Sequence, residues 1–162
     1  MDNGVVEVAA APGASGRARA AVSGPIGYAL ATAARAHRRV LQAELAKLGL
    51  YLGQELVIVD LAEHPDSTQA ELVERLGVEQ PTVAKTIARM ERSGFLTRSA
   101  DPGDRRQIRI RLTGVGEKLV HRITEAWASA DQLACPTLSG NERRTLVRLL
   151  QKLAHGAPQE AR

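Results

Sequence analysis

The chain has 162 residues, about the length of one globular domain and enough to bury a hydrophobic core. The net charge is only +4, the lone Cys135 excludes an internal disulfide, and no apolar stretch is long enough to span a membrane. Two Tyr, one Trp and one Phe give no aromatic platform for unpaired bases. The acidic N-terminus, with Asp2 and Glu7, is unlike a secretory signal, so we expect a cytoplasmic protein.

Residues 1–24 are predicted to form a flexible N-terminal tail. They contain seven Ala and four Gly and show no period that would define a packed face. A solvated leader is the favoured interpretation, and an arm that contacts DNA through Arg17 and Arg19 is the alternative. Residues 157–162 are predicted to form a C-terminal tail.

Residues 25–64 are predicted to form two helices that support the rest of the chain. The first runs from Pro25 to about Leu48, and the second, from Leu52 to Glu63, is expected to be the inner helix. His37 lies on the apolar face of the first helix, where a hydrogen-bonded packing role is favoured over ligand binding. The predicted buried faces comprise Ile26, Leu30, Ala33, Ala34, Val40, Leu41, Leu45 and Leu48 in the first helix, and Leu52, Leu56, Val57, Val59 and Leu61 in the second.

Residues 65–113 carry the signals of two short helices followed by a hairpin. Thr68 and Glu71 form a T-x-x-E capping box at the start of the first short helix, and Gly77 suits its C-terminal cap. Two helices joined by a short turn that contains glycine are typical of a helix-turn-helix.

The second short helix presents two neighbouring stripes of side chains. Gln80 is predicted as its N-cap, and Pro81 falls at the first helical position, where its missing N–H costs nothing. The polar stripe contains no acid, which favours a DNA-recognition helix over the alternative, an ordinary solvated face. The apolar stripe comprises Val83, Ile87 and Met90, and the polar stripe comprises Thr82, Lys85, Thr86 and Arg89.

A hairpin is predicted directly after this helix. Gly94 suits the end of the helix, and a strand is expected over Phe95–Arg98. The turn sequence DPGD follows, and Gln107–Leu112 then alternates polar and apolar residues. This pattern predicts a two-stranded wing, with Arg105 and Arg106 near its tip. The side chains expected on its inner side are Ile108, Ile110 and Leu112.

Residues 114–156 are predicted to form two further helices. Thr113 caps a long helix that Pro136 ends, and Ser139 with Glu142 forms a second capping box before the last helix. The leucine-rich faces of the first and last helices exceed what this chain can bury alone, so self-association is predicted, with purely intramolecular packing as the alternative. The apolar stripes comprise Val115, Leu119, Ile123, Ala126, Trp127 and Ala130 in the long helix, and Leu146, Leu149, Leu150 and Leu153 in the last helix.

The positive charge of the chain is concentrated in one segment. Residues 80–112 hold eight basic groups against three acids, a balance of +5, which exceeds the net charge of the whole chain. Localised positive charge indicates a nucleic-acid binder, and the missing aromatic platform favours duplex DNA over single strands. The basic groups are Lys85, Arg89, Arg92, Arg98, Arg105, Arg106, Arg109 and Arg111, and the acids are Glu91, Asp101 and Asp104.

The run from Gln80 through Gly116 resembles the winged helix-turn-helix core of MarR-type (multiple antibiotic resistance regulator) transcription factors. The segments GFLTR, DPGDRR and RLTGVG carry the resemblance, which covers about a third of the chain. Its most diagnostic piece is Asp-x-Arg at 104–106 followed by Leu-Thr-x-x-Gly at 112–116. The resemblance implies a mainly α fold with a small β-wing, in which the winged core is flanked by N- and C-terminal dimerisation helices that intertwine into a two-fold dimer.

The resemblance also implies roles for individual residues. Arg106 would enter the minor groove, where a narrow groove attracts a guanidinium, Asp104 would hold the wing arginine in place, and Arg98 would lie near the phosphate backbone. On the polar stripe, Lys85 and Arg89 are expected to read or clamp the major groove. The predicted DNA-binding set comprises Thr68, Gln80, Thr82, Lys85, Thr86, Arg89, Arg98, Asp104, Arg105 and Arg106.

The family often binds anionic aromatic or phenolic effectors between the dimerisation helices and the DNA-reading unit. A small anionic or phenolic ligand is therefore an expected partner of this chain too. Ordinary packing or surface positions are the alternative for each residue of the predicted pocket. That pocket comprises Tyr28, His37, Arg38, Tyr51 and Trp127.

Metal and enzyme chemistry find little support in the sequence. The candidate ligands lack the i, i+4 or C-x-x-C spacing of a closed site, so no metal and no cofactor is expected. No nucleophile elbow, phosphate-binding glycine loop or H-E-x-x-H motif is present. We predict a homodimeric, sequence-specific regulator of double-stranded DNA, a repressor on a pseudopalindromic operator, with activation left open and an architectural or adaptor protein as the alternative. The candidate metal ligands considered are His37, Glu44, His64, His121 and Cys135.

Overall fold

The computed structural model describes residues 24–156, so the predicted C-terminal tail and, apart from Gly24, the predicted N-terminal tail lie outside the described residues. The predicted arm at Arg17 and Arg19 lies outside them as well. The described chain is mainly helical with one small antiparallel sheet, which confirms the predicted fold class. The elements in chain order are α1 (Pro25–Ala46), α2 (Gln54–Glu63), β1 (Ser67–Thr68), α3 (Gln69–Leu76), α4 (Gln80–Arg92), β2 (Leu96–Ala100), β3 (Ile108–Leu112), α5 (Gly114–Ala134) and α6 (Gly140–Gly156).

One hydrophobic core joins α1 to the helix-turn-helix, the sheet and α5. It includes the fully buried Leu45 of α1, Ile87 of α4 and Ile123 of α5. The inner helix α2 contributes buried residues from both sides of its axis, among them Ile58, which the predicted face lacked. The prediction was wrong for two other positions of that face, because Leu52 lies in the loop before α2 and Leu56 lies on its outer surface, and both are exposed.

The sheet has three strands in the order β1-β3-β2, whereas the sequence predicted a two-stranded ribbon. The additional strand β1 is only Ser67–Thr68, too short to show an alternating pattern, and it pairs with β3 at Ile110 and Arg109. Ile110 and Leu112 are buried as predicted, but Ile108 is exposed. Ile108 pairs with Ala100 at the far end of the hairpin, where the two strands extend away from the core.

The local signals at the helix ends are largely confirmed. Both hydrogen bonds of the Thr68–Glu71 capping box are present, and Gly77 ends α3 in the left-handed conformation with φ 61°. The N-cap of α4 is Glu79 rather than Gln80, and its side chain makes no capping hydrogen bond. The helix therefore starts one residue earlier than predicted, and Gln80 and Pro81 occupy its first turn.

The base of the wing is joined to the end of α4 and the start of α5 by four residues, Gly94, Phe95, Thr113 and Gly116, which we call the wing joint. The Thr113 backbone N–H donates to the Phe95 carbonyl at 3.0 Å, and its hydroxyl donates to the Gly94 carbonyl at 2.6 Å. The Thr113 hydroxyl oxygen also accepts from the Gly116 N–H at 3.2 Å and so caps α5. Gly116 is buried, and a Cβ there would overlap the Phe95 carbonyl oxygen.

The outer helices leave apolar side chains uncovered within the single chain. Helix α6 has no buried residue, and its four predicted leucines are 40–50% exposed. Ile26 and Leu30 of α1 are exposed as well, and so are Val115 and Trp127, which were predicted on the buried stripe of α5. The leucine-rich faces therefore exceed what the described chain buries alone. Within residues 24–156, no helix combines the length and the apolar character needed to cross a membrane.

Candidate nucleic-acid interface

Helix α4 presents its two stripes as the sequence predicted. Val83, Ile87 and Met90 are buried and fix the helix against the core. Lys85 and Arg89, on the neighbouring stripe, are exposed, as are Gln80 and Thr82 near the start of the helix. Packing of the apolar stripe therefore directs a polar and cationic surface outward, where it is accessible to a ligand as large as duplex DNA.

Two of the three threonine hydroxyls of the predicted site are engaged by the protein itself. The Thr86 hydroxyl donates to the Thr82 carbonyl at 2.9 Å, so its proton is used inside α4. The Thr68 hydroxyl oxygen accepts from the Glu71 N–H at 3.2 Å in the capping box. The Thr68 side chain also hydrogen-bonds the Glu71 carboxylate and helps to lower the pKa of Glu71, so a phosphate contact from this hydroxyl would have to share the capping box.

Arg89 contacts Tyr51, a residue predicted for the effector pocket. Its guanidinium carbon lies 5.2 Å from the centroid of the Tyr51 ring, the geometry of a cation–π contact. Tyr51 lies in the loop between α1 and α2 and is exposed. The structure thus brings together a residue of the predicted DNA-binding set and a residue of the predicted effector pocket.

Arg98 on β2 is held by an acid of α4. Its Nε donates to the Glu91 carboxylate at 2.9 Å, and its Nη2 donates to the same oxygen. The hydrogen bond from Arg98 lowers the pKa of Glu91 below its ordinary value. Arg98 is therefore part of an ion pair between α4 and the wing, and any contact with a phosphate would have to share or break that pair.

The wing tip carries two arginines and an aspartate. The Asp104 carboxylate accepts from the Arg106 backbone N–H at 3.0 Å and from the Gln107 side-chain amide at 3.3 Å. Asp104 thus holds Arg106 through its backbone, and no arginine among the described residues forms an ion pair with Asp104. The Arg105 and Arg106 side chains are exposed and have no acidic partner within residues 24–156.

Sequence reasoning missed a network around Arg109, which lies below the wing tip on β3. The Arg109 Nε donates to the Asp101 carboxylate at 2.6 Å, and its Nη1 donates to the Asp66 carbonyl at 3.1 Å. The Glu71 carboxylate of the capping box is 3.8 Å from Nη1. The hydrogen bond from Arg109 is the main reason why the pKa of Asp101 lies below its ordinary value. The signal for this pair in the sequence was an acid in the wing turn, Asp101, followed eight residues later by Arg109.

The positive charge is therefore less uniform than the count of basic residues suggested. Three of the eight arginines and lysines in residues 80–112 are paired with acids: Arg98 with Glu91, Arg109 with Asp101 and Arg111 with Asp66. The remaining basic residues form no ion pair in the described part of the chain, and they lie on α4 and at the wing tip. These residues are Lys85, Arg89, Arg92, Arg105 and Arg106.

The five predicted effector-pocket residues do not line one cavity. Tyr28 and Arg38 line two neighbouring shallow grooves along α1, and both grooves also include Arg35 and Arg39. The His37 ring instead lies 3.0 Å from the Asp131 carboxylate and links α1 to α5. Of the other two predicted residues, Tyr51 contacts Arg89 and Trp127 is exposed on α5.

No metal centre is evident in the described chain. Within residues 24–156, no three side chains from His, Cys, Asp and Glu lie close enough together to hold a metal ion. Cys135 is a free, half-buried thiol at the C-terminal end of α5. The exposed basic residues of α4 and the wing tip form a cationic surface in the described part of the chain.

Comparison with known proteins relates this arrangement to a group of regulators. The MarR family profile matches residues 50–108, a segment from the loop before α2 to the start of β3. The HTH-type transcriptional repressor NicR of Pseudomonas putida is 28% identical over 132 residues, covering 82% of this chain and 84% of NicR.

Solved structures show the same fold. BpsR of Bordetella bronchiseptica, described with the regulation of its DNA binding by 6-hydroxynicotinic acid, matches with a TM-score of 0.73 at 27% identity, covering 84% of this chain and 96% of that chain. A mutant of Escherichia coli MarR in complex with operator DNA matches with a TM-score of 0.73 at 22% identity, covering 83% and 96%. The second likeness concerns the fold alone.

Proposed function

We propose that the chain is a MarR-family DNA-binding regulator rather than an enzyme, and that it acts as a homodimeric repressor of a pseudopalindromic operator, because residues 50–108 match the MarR family profile and the repressor NicR is 28% identical. One observation carries the proposal. The buried stripe of α4 fixes the helix so that Lys85 and Arg89 face outward, and the wing presents Arg106 at its tip without an acidic partner in the described chain.

In the proposed complex, α4 enters the major groove and the wing follows the adjacent minor groove. Lys85, Arg89 and Gln80 read base edges or clamp phosphates from α4, while Arg106 enters the minor groove. Thr68 contacts a phosphate at the start of α3. Phosphate contacts of this kind fix the register of the protein on DNA, while base contacts give sequence preference.

The homodimer is proposed because the terminal helices expose apolar side chains that a second copy would cover. Helix α6 buries none of its own residues, and α1 exposes Ile26 and Leu30. Two recognition helices related by two-fold symmetry and set about 34 to 36 Å apart would meet successive major grooves on one face of the duplex. The operator is then expected to be a pseudopalindrome.

Repression released by a small anionic aromatic ligand is the proposed mode of regulation. NicR is a repressor, and the DNA binding of BpsR is regulated by 6-hydroxynicotinic acid. In this chain, Arg35, Arg38 and Arg39 line a groove of α1 that also includes the apolar Leu52. Guanidinium groups beside an apolar floor suit a carboxylate attached to a ring.

Selection of bound duplexes from random DNA tests the proposal. We expect a recovered site with two inverted half-sites whose centres are one helical turn apart. Arg106→Ala, folded and dimeric by circular dichroism and light scattering, is expected to bind this site more weakly. Each phosphate contact removed by Lys85→Ala or Arg89→Ala should flatten the slope of log affinity against log salt by about 0.9.

Competition with a scrambled duplex distinguishes an operator-specific regulator from the alternative, an architectural or adaptor protein. If the selected and scrambled duplexes compete equally, the protein coats DNA or serves as an adaptor and is not an operator-specific regulator. An Arg106→Ala variant that binds as tightly as wild type contradicts the minor-groove role of the wing while leaving the role of α4 intact.

A further inference from the structure

The hairpin of the wing extends beyond the core and needs an anchor to keep a fixed direction. Beyond Arg109, which still pairs with Thr68 of β1, the hairpin consists of β2 and β3 alone, and Ile108 is exposed. A two-stranded hairpin without a packed face is only marginally stable in water. The position of Arg106 at its tip therefore depends on interactions that tie the hairpin to the helix-turn-helix.

Arg109 makes those interactions from a single guanidinium. It donates to the Asp101 carboxylate in the wing turn and to the Asp66 carbonyl immediately before β1. It also lies 3.8 Å from the carboxylate of Glu71, which caps α3. The wing turn, the segment that precedes β1 and the N-terminus of α3 thus converge on one side chain.

Asp101 connects this anchor to the shape of the tip. One carboxylate oxygen accepts from the backbone N–H groups of Gly103 and Asp104 at 2.7 and 3.0 Å, and the other accepts from Arg109 at 2.6 Å. The Asp101 and Arg109 side chains are 19% and 28% exposed, so solvent screens this pair less than it screens Arg111 and Asp66, at 65% and 46%. A contact that is shielded from solvent and joins several groups restricts the positions of those groups relative to one another.

We propose that Arg109 is a positioning residue for DNA binding, which holds the wing at a fixed angle to α3 so that Arg106 reaches the minor groove while α4 occupies the major groove. Arg109 acts through Asp101 and Glu71 and need not contact DNA itself. This role rests on the proposed function, because a fixed wing angle matters only if the wing and α4 bind the same duplex.

Asp101→Asn gives a test in which electrostatics and geometry predict opposite signs. The asparagine keeps the side-chain oxygen that closes the turn but presents an N–H₂ group to the Arg109 donors, so the anchor is lost. Removing an acid from a DNA-facing surface should by itself tighten binding. We expect instead that the variant binds the selected operator about fivefold more weakly, the scale of a partly exposed ion pair.

Two further variants control for charge and for folding. Glu74→Gln removes one acid from the exposed side of α3 without contacting Arg109, and it should bind equally or more tightly. Arg109→Lys keeps the positive charge but cannot bridge Asp101 and the Asp66 carbonyl with a planar fork, so it should bind more weakly, like Asp101→Asn. Circular dichroism and thermal unfolding establish that each variant is folded.

A double-mutant cycle with Arg106→Ala links the effect to the wing tip. Once Arg106 is absent, Asp101→Asn should change operator affinity by less than about twofold, because no tip contact remains to be positioned. The proposal is overturned if Asp101→Asn binds as tightly as wild type, or if it weakens the Arg106→Ala protein as much as wild type. The proposed function is tested separately, with wild-type protein alone. If wild-type protein does not distinguish the operator from a scrambled duplex, the proposed function is refuted, whatever the result of the double-mutant cycle.

Discussion

The arginines of the wing differ in whether an acid of the described residues pairs with them. Arg98 donates to Glu91 of α4, and Arg109 donates both to Asp101 and to the Asp66 carbonyl before β1, so both arginines tie the wing to the rest of the fold. Arg105 and Arg106 lie at the exposed tip without such a partner in the described residues. A guanidinium of the second kind can bind a phosphate or a groove without breaking an ion pair of the protein.

Gly116 is a residue whose replacement tests the wing joint. We expect Gly116→Ala to lower the free energy of unfolding by about 1 to 3 kcal/mol, because its Cβ would overlap the Phe95 carbonyl and force a backbone shift. Gly114→Ala is the matched control, since its Cβ would meet no atom within 4 Å at the first position of the same helix. Urea denaturation of both variants checks the difference, and equal stabilities would contradict the close approach at Gly116.

At the scale of elements, the start of α3 depends on a reciprocal pair of hydrogen bonds. The Glu71 carboxylate accepts from the Thr68 backbone N–H at 2.6 Å, while Thr68 accepts from the Glu71 N–H. The first of these is the main reason why the pKa of Glu71 lies below its ordinary value, and the charge of Arg109 adds to it. The capping box thus supports both α3 and the anchor of the wing.

The lowered pKa of Glu71 gives a pH-dependent contribution to stability. A carboxyl whose pKa is lower in the folded state stabilises the protein above its unfolded pKa of about 4.3, and that contribution is lost as the pH falls through the folded value. We expect Glu71→Gln to be less stable than wild type at pH 7, with a difference that disappears in acid. Parallel pH profiles of unfolding for Glu71→Gln and the exposed control Glu74→Gln measure it. A difference that persists unchanged below pH 4 would refute the charge-dependent part.

Elements with strong local signals were predictable from the sequence. The capping box at Thr68, the glycine stop at Gly77 and the buried stripe of α4 each depend on residues within a few positions of one another. The strand β1 escaped prediction because its two residues show no period and are ordered by pairing with β3. The exposure of Ile108 likewise reflects where the hairpin leaves the core rather than its alternating pattern.

Contacts between distant parts of the chain were not predictable by the same reasoning. His37 meets Asp131 across 94 residues, and Arg111 meets Asp66 across 45. Spacing rules describe neighbours on one helix or strand, and they contain no information about which elements pack together. The exposed polar stripe of α4 was predictable from local patterns, whereas the acids that pair with Arg98, Arg109 and Arg111 could be identified only from the tertiary structure.

At the scale of the whole molecule, the exposed face of α6 is expected to determine the oligomeric state. Leu146 and Leu150 lie one helical turn apart and are 40% and 41% exposed. Replacing both with Glu should give a folded monomer at micromolar concentration, because carboxylates cannot be buried in an apolar interface without a large desolvation cost. Its operator affinity should fall at least about tenfold, since the two half-sites would no longer be bound by one linked pair.

Gel filtration with light scattering and an operator titration measure both effects. Gln151→Glu, on the same helix, controls for added charge without removing a leucine. A wild-type protein that is monomeric at micromolar concentration, or a double glutamate variant that remains dimeric, would contradict an interface at this face.

The wing joint also has a mechanical consequence. The Phe95 carbonyl accepts a hydrogen bond from Thr113 and lies against Gly116. The C-terminal end of α4, the base of the hairpin and the start of α5 therefore meet at one closely packed point. We therefore expect a tilt of α5 to move α4 and the wing together as one rigid unit. In the proposed homodimer, a ligand that rotates α5 by a few degrees would alter the separation of the two DNA-binding units without disturbing the internal geometry of either.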